Sequence, residues 1–128
     1  RRARLDGIFY CPHFSPAASA AEESDCACRK PHPELGLRAA AALGFELAGS
    51  YMVGDKPADV LFGLAVGAVP VLVLTGYGRA SLGDLKAQGV RPAHVADNLV
   101  SAVDWILARE KRSGRRARPP SPRSTSDL

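Results

Sequence analysis

Residues 51–74 read YMVGDKPADVLFGLAVGAVPVLVL, and this stretch decides the fold class. Two apolar runs, residues 51–53 and 69–74, have the length and composition of buried strands. Residues 57–65, between them, can form a helix because proline is tolerated at the first helical position. Continuous apolar strands that alternate with helices are typical of a parallel sheet covered on both faces.

The same alternation continues on both sides of this stretch. Helices are expected at residues 33–44, 81–88 and 98–111, and short strands at residues 6–11 and 94–97. Pro33 can start the first of these helices and Gly44 can end it. Asn98 is a suitable N-cap for the last one. The pattern therefore predicts an α/β fold.

Polar residues follow the ends of the two predicted central strands, at Asp55 and Thr75. Ligands of parallel sheets bind beyond the carboxyl ends of the strands, where a carboxylate can share Mg²⁺ with a substrate phosphate. Asp59, one helical turn after Asp55, could hold a metal-bound water or orient the metal ligands. Lys56 can face the phosphate. The simpler alternative is that Asp55 caps the helix that begins at Pro57, and the two roles are compatible.

A second group of chemically informative residues is the set Cys11, His13, Cys26 and Cys28, which contains all three cysteines of the chain. Zinc prefers thiolates and imidazole in a tetrahedral set, and four such ligands leave no open position, so the predicted site is structural. Residues 12–28 form a long predicted loop with few apolar side chains to bury, so the loop needs another source of order, such as a bound ion. The alternative is that the cysteines are small buried hydrophobic residues and that His13 is a surface residue.

Arg29 and Lys30 directly follow the predicted zinc loop, so a bound ion would fix where both side chains point. The ammonium group of lysine suits a phosphoryl oxygen, whereas the planar fork of arginine suits a second phosphate or a hydroxyl-rich substrate. The alternative is a pair of solvated charges at the start of a helix.

The net charge of +4 is concentrated at the end of the chain. Residues 109–128 carry seven Lys/Arg against two acids, whereas residues 1–108 carry ten against eleven. The basic tail is expected to be disordered. It could bind a polyanion weakly, but such charge runs are more often solvated, and nucleic acid is not expected as a partner. No apolar run approaches a membrane span, and clustered cysteines suit a reducing compartment, so a cytoplasmic location is expected.

Together these residues resemble the haloacid dehalogenase superfamily of phosphohydrolases, and specifically its zinc-loop branch of histidinol-phosphate and heptose-bisphosphate phosphatases. The resemblance covers residues 6–108 and is carried by CRKPHP at 28–33 and YMVGDK at 51–56. Histidinol-phosphate relatives tend to carry Arg after the Gly-Asp pair, so Lys56 favours the heptose side of the branch.

The resemblance implies a Rossmann-like parallel sheet of the haloacid dehalogenase type, and structural zinc on the four ligands named above. It implies that Lys30 stabilises the transferring phosphoryl group and that Arg29 recognises the substrate. Asp55 would ligate Mg²⁺ and Lys56 would contact the substrate. The implied reaction is hydrolysis of a sugar phosphate monoester, most closely a heptose 1,7-bisphosphate at the 7-phosphate, by a monomer.

Two family motifs do not occur in this sequence: the Asp-x-Asp-Gly-Thr motif that contains the nucleophile, and a Thr/Ser-Asn pair that binds phosphate. We therefore expect residues 6–108 to be the C-terminal portion of a phosphatase domain lacking its first strands, inactive alone, with a truncated start at 1–5 and the tail at 109–128. Two alternatives stay open: histidinol phosphate as the substrate, and a non-catalytic zinc-stabilised module with a polyanion-binding tail.

Overall fold

The computed structural model describes residues 4–10 and 30–114. The elements are α1 (Glu34–Leu43), a 3₁₀ turn (Leu47–Gly49), β1 (Tyr51–Gly54), α2 (Pro57–Val66), β2 (Val69–Val73), α3 (Gly78–Ala87), β3 (His94–Ala96) and α4 (Leu99–Arg112). Strands and helices alternate from β1 onward, so the predicted α/β class is confirmed.

The described strands form one parallel sheet in the order β1-β2-β3. Val53 of β1 is paired with Val71 of β2, and Val71 is paired with His94 of β3. Because all three strands run in the same direction, their carboxyl ends lie at one edge of the sheet. The residues that follow β1 and β2 therefore meet at this edge.

The core lies on both faces of β2, whose side chains alternate between them. Leu72 packs with Val60 of α2 and Leu85 of α3 on one face. Val71 packs with Ala102 of α4 on the other face. A strand buried on both faces needs apolar residues at every position, which explains the continuous run seen in the sequence.

The helix ends also follow the sequence signals. Gly44 adopts the left-handed conformation after α1, with φ of 71°. The backbone N–H of Ser101 donates to the side chain of Asn98 at 2.8 Å, which makes Asn98 the N-cap of α4. The predicted end of α1 at Gly44 and the predicted N-cap of α4 at Asn98 are thus confirmed.

The strand predicted at residues 6–11 is wrong for the residues that the structure describes. Residues 6–10 form no strand, and the side chains of Ile8 and Tyr10 are 77% and 69% exposed. A strand needs a neighbour for its backbone hydrogen bonds, and no described strand is paired with this segment. The alternating sequence pattern cannot show whether such a neighbour is present.

The boundary predicted for the basic tail also differs from the structure. α4 continues through Arg112, so the first four residues of the segment 109–128 are helical. The guanidinium of Arg109 donates to the hydroxyl of Tyr51 at 2.9 Å, which ties this end of α4 to β1. Among the helices of the described ranges, none has the length and apolar character needed to cross a membrane.

Candidate functional site

Asp55 lies at the carboxyl end of β1 and connects this strand to the turn that follows β2. Its Oδ2 accepts a hydrogen bond from the backbone N–H of Tyr77 at 2.9 Å. Its carbonyl accepts a hydrogen bond from the hydroxyl of the buried Ser81 at 2.7 Å. Within the described part of the chain no group donates to Oδ1 of Asp55, so this carboxylate keeps an oxygen for a ligand.

Asp59 is the buried acid of the site, with 5% of its surface exposed. Its Oδ1 accepts from Nζ of Lys30 at 2.5 Å, and its Oδ2 accepts from the backbone N–H groups of Asp55 and Lys56, both at 3.1 Å. One carboxylate thus holds a lysine from the segment before α1 and the backbone turn between β1 and α2. The Lys30 side chain is 40% exposed, which leaves part of it open to solvent.

Two glycines leave the space that these carboxylates fill. A Cβ atom at Gly54 would collide with the Asp59 carboxylate, and one at Gly76 would collide with Oδ2 of Asp55. Gly76 also has a φ of 61°, a conformation that glycine adopts without strain. The Gly-Asp spacing after β1 therefore allows both acids to approach the backbone closely.

A contact that the sequence did not suggest joins Lys56 to Tyr77. Nζ of Lys56 lies 5.1 Å from the centre of the Tyr77 ring, and Tyr77 is 66% exposed. The sequence showed only a glycine-rich loop at 75–78 after a strand. Ser81 was also missed, because a single serine in a helix carries no signal of its own.

The structure brings together four of the predicted site residues: Lys30, Asp55, Lys56 and Asp59. The alternative that Asp55 caps α2 is wrong, since the N-cap residue is Lys56 and the Asp55 carboxylate accepts from Tyr77. Arg29 and the four predicted zinc ligands, Cys11, His13, Cys26 and Cys28, lie outside the described residues.

The described residues contain no group of three His, Cys, Asp or Glu side chains that could hold a metal by themselves. Magnesium, however, commonly takes only one or two protein carboxylates and completes its shell with water and substrate phosphate. Asp55, with one oxygen open, fits this requirement. Asp59 does not fit a direct ligand role, because Lys30 and two backbone N–H groups already engage its carboxylate.

Comparison with known proteins gives one family model, two similar curated proteins and one similar solved structure. The family model described as HAD-hydrolase-like matches residues 27–102. The D-glycero-beta-D-manno-heptose-1,7-bisphosphate 7-phosphatases of Yersinia pestis and Escherichia coli K12 are 45% and 44% identical to this chain, each over 84% of it. The crystal structure of a D,D-heptose 1,7-bisphosphate phosphatase from B. bronchiseptica with magnesium and phosphate matches with a TM-score of 0.66 and 33% identity over 83% of this chain.

The chain spans about half the length of these relatives. The matches cover 49% of the Yersinia protein, 48% of the Escherichia protein and 54% of the crystallised chain. The matches thus cover most of this chain but only about half of each relative.

Proposed function

This chain belongs to the HAD-hydrolase-like family, and from that premise we propose that it forms part of a Mg²⁺-dependent phosphatase acting on a phosphorylated sugar. The observation that carries the proposal is that Asp59 contacts both Lys30 and Asp55: its carboxylate accepts from Nζ of Lys30 and from the backbone N–H of Asp55. It places an ammonium group and an available carboxylate at one end of the sheet. These are the groups that bind a phosphoryl group and its metal ion.

Each described residue of the site has a role in this proposal. Lys30 stabilises charge on the phosphoryl oxygens, and the ion pair with Asp59 orients its side chain. Asp55 would hold Mg²⁺, which when bound neutralises negative charge on the phosphoryl oxygens. Lys56 contacts the substrate, and Arg29 contributes to its recognition. Asp59 orients Lys30 and the backbone of the turn without touching the metal.

The names of the relatives support heptose 1,7-bisphosphate, hydrolysed at the 7-phosphate, as the substrate. Lys56 supports the same choice over histidinol phosphate. The Asp-x-Asp motif of the family is absent from these 128 residues. Phosphoryl transfer needs an acceptor group, so we propose that residues outside this sequence supply the nucleophile and that the 128-residue chain alone releases no phosphate.

A chimera tests this proposal. The part of the Yersinia relative that precedes its matched region is joined to residues 6–114 of this chain, and Mg²⁺-dependent phosphate release is measured with heptose 1,7-bisphosphate and with histidinol phosphate. We expect turnover of the heptose substrate. Lys30→Ala or Asp55→Asn should lower kcat/KM by about 100-fold or more, as removal of one charge-stabilising group usually does. Lys86→Ala, on the exposed surface of α3, is the matched control.

Three outcomes contradict the proposal. Phosphate release by the 128-residue chain itself would show that no outside nucleophile is needed. A chimera that is folded and inactive, or one that prefers histidinol phosphate, would contradict the assigned reaction or substrate. Salt-sensitive RNA binding that is lost on deletion of residues 109–128 would instead favour the non-catalytic module with a polyanion-binding tail.

We further propose that Cys11, His13, Cys26 and Cys28 bind one structural zinc ion, because thiolates and imidazole are the donors zinc prefers. Clustered cysteines suit a reducing compartment, so we also propose a cytoplasmic location. Elemental analysis of purified protein should give one zinc per chain. His13→Ala should reduce the zinc content and lower the melting temperature, whereas His32→Ala should leave the zinc content unchanged. Equal zinc content in both variants would exclude His13 as a ligand.

A further inference from the structure

The turn between β2 and α3, residues 74–77, is fastened to the end of β1 by its backbone. The N–H of Tyr77 donates to the Asp55 carboxylate, and Ser81 of α3 donates to the Asp55 carbonyl. At Gly78 a Cβ atom would collide with the carbonyl of Val73, so the chain passes very close to the end of β2. These contacts set the position of the Tyr77 Cα whatever its side chain is.

The Tyr77 side chain is therefore free for another role, and its only partner among the described residues is Lys56. The ring lies under Nζ of Lys56 at 5.1 Å, within the range of a cation–π contact. Both residues are exposed, and the ring belongs to neither of the two hydrophobic core clusters. Core packing thus does not account for an aromatic side chain at this position.

A lysine side chain has a long flexible stem, and ordering it opposes ligand binding. A ring that attracts the ammonium group restricts this freedom before the ligand arrives. Lys56 adjoins Asp55 in the chain, so the restriction keeps its charge beside the carboxylate proposed to hold the metal. Binding of an anion at this place would then require less additional ordering.

We propose that Tyr77 is a positioning residue that acts through Lys56: its ring keeps the Lys56 ammonium group at the mouth of the site, ordered for a phosphate group. The inference rests on the proposed function, in which Lys56 contacts the substrate. The turn after β2 would then contribute to phosphate binding in two ways. Its backbone N–H at Tyr77 holds the Asp55 carboxylate, and the Tyr77 side chain orders Lys56.

Titration of the 128-residue chain with inorganic phosphate in the presence of Mg²⁺, followed by NMR, tests the inference without turnover. In the free protein the Lys56 ε-CH₂ signals should show an upfield ring-current shift, which Tyr77→Phe keeps and Tyr77→Leu abolishes. Tyr77→Leu should weaken phosphate binding by about two- to fivefold, the factor that an exposed cation–π contact represents, and Tyr77→Phe should bind as the wild type does.

A double-mutant cycle separates positioning from a structural effect. In a Lys56→Met background, Tyr77→Leu should leave the dissociation constant unchanged, because the ring has no ammonium group to hold. The backbone amide signals of β1 and β2 report whether each variant is folded. Tyr77→Gln serves as a second variant if Tyr77→Leu disturbs those signals.

The possible failures are distinguishable. If phosphate shifts neither Lys30 nor Lys56 in the wild-type chain, the proposed roles of these two lysines in phosphate binding fail, and the role of Tyr77 fails with them. If the wild type binds phosphate but Tyr77→Leu binds equally well or more tightly, only the role of Tyr77 is overturned. An equal weakening by Tyr77→Leu with and without Lys56 also overturns it, because the ring would then act on the fold.

Discussion

At the scale of single residues, Asp59 links two parts of the site, because one buried carboxylate joins Lys30 to the backbone of the β1–α2 turn. Asp59→Asn removes the charge that pairs with Lys30 and keeps one oxygen for the backbone. We expect the free energy of unfolding to fall by about 1–3 kcal/mol in urea denaturation, the cost of leaving a buried polar group without its partner. Solvent screens the half-exposed Lys30, which argues against a larger loss.

The matched control is Asp104→Asn on the exposed surface of α4, which should change the free energy of unfolding by less than about 0.5 kcal/mol. If the two variants are equally stable, the contacts of Asp59 do not contribute to the folded state in solution.

Gly54 is a second residue whose substitution has a clear physical consequence. The Cβ of Gly54→Ala would overlap the Asp59 carboxylate and push it away from Lys30. We expect a loss of about 1–3 kcal/mol, as overpacking of a filled site usually costs. Gly83→Ala, in α3, has no atom within 4 Å of its Cβ and should raise stability by about 0.5–1 kcal/mol. Equal effects of the two alanines would contradict the close packing at Gly54.

The sequence could indicate the site residues only by type and by position after strands. It predicted Lys30, Asp55, Lys56 and Asp59 as candidates, and the structure brings them together. It did not show which acid pairs with Lys30, because the two residues are 29 positions apart and the pairing depends on how α1 packs against α2. For the same reason the contact between Lys56 and Tyr77 had no sequence signal.

At the scale of elements, the start of α4 depends on a single side chain. Asn98 accepts a hydrogen bond from the N–H of Ser101 at 2.8 Å and satisfies one of the free amide groups of the first turn. Asn98→Ala should therefore lower the free energy of unfolding by about 1 kcal/mol in urea denaturation. Asn98→Ser, which keeps an accepting oxygen, should stay close to the wild type. Similar losses for Ala and Ser would exclude a capping role.

Helices and the central strands were predictable because their signals are local. The continuous apolar run of β2 and the terminal residues Gly44 and Asn98 matched the structure closely. The strand predicted at residues 6–11 is wrong in its described part, because a strand depends on a neighbour that is often distant in sequence. The end of α4 was predicted within one residue, but the disordered tail was expected to begin at residue 109, inside this helix, where Arg109 contacts Tyr51 and Trp105.

At the scale of the whole molecule, α4 presents an apolar surface that the described chain leaves exposed. Leu99, Val100, Val103 and Leu107 are 60%, 71%, 42% and 60% exposed. They lie beside the face that packs on the sheet through Ala102 and Trp105. The apolar arc of α4 is thus wider than the sheet can cover, and contiguous apolar surface of this kind promotes association.

We expect the 128-residue chain to self-associate with rising concentration in sedimentation velocity. The double variant Val100→Lys, Leu107→Lys should reduce this association and change the free energy of unfolding by less than about 0.5 kcal/mol. The double variant Ala80→Lys, Ala108→Lys adds the same charge at exposed positions outside this surface and should associate as the wild type does. Equal association of both lysine variants would show that the α4 surface is not responsible.

The sequence by itself determined the α/β class, the alternation of helices and strands, most helix ends and the candidate residues for a phosphate and its metal ion. These follow from local propensity and from the side-chain period of a buried strand, which a short window contains. Only the tertiary structure decided that Asp59 holds Lys30, that no described group donates to Oδ1 of Asp55, that Tyr77 lies under Lys56, and that residues 6–10 form no strand. Each of these depends on groups that packing brings together from distant parts of the chain.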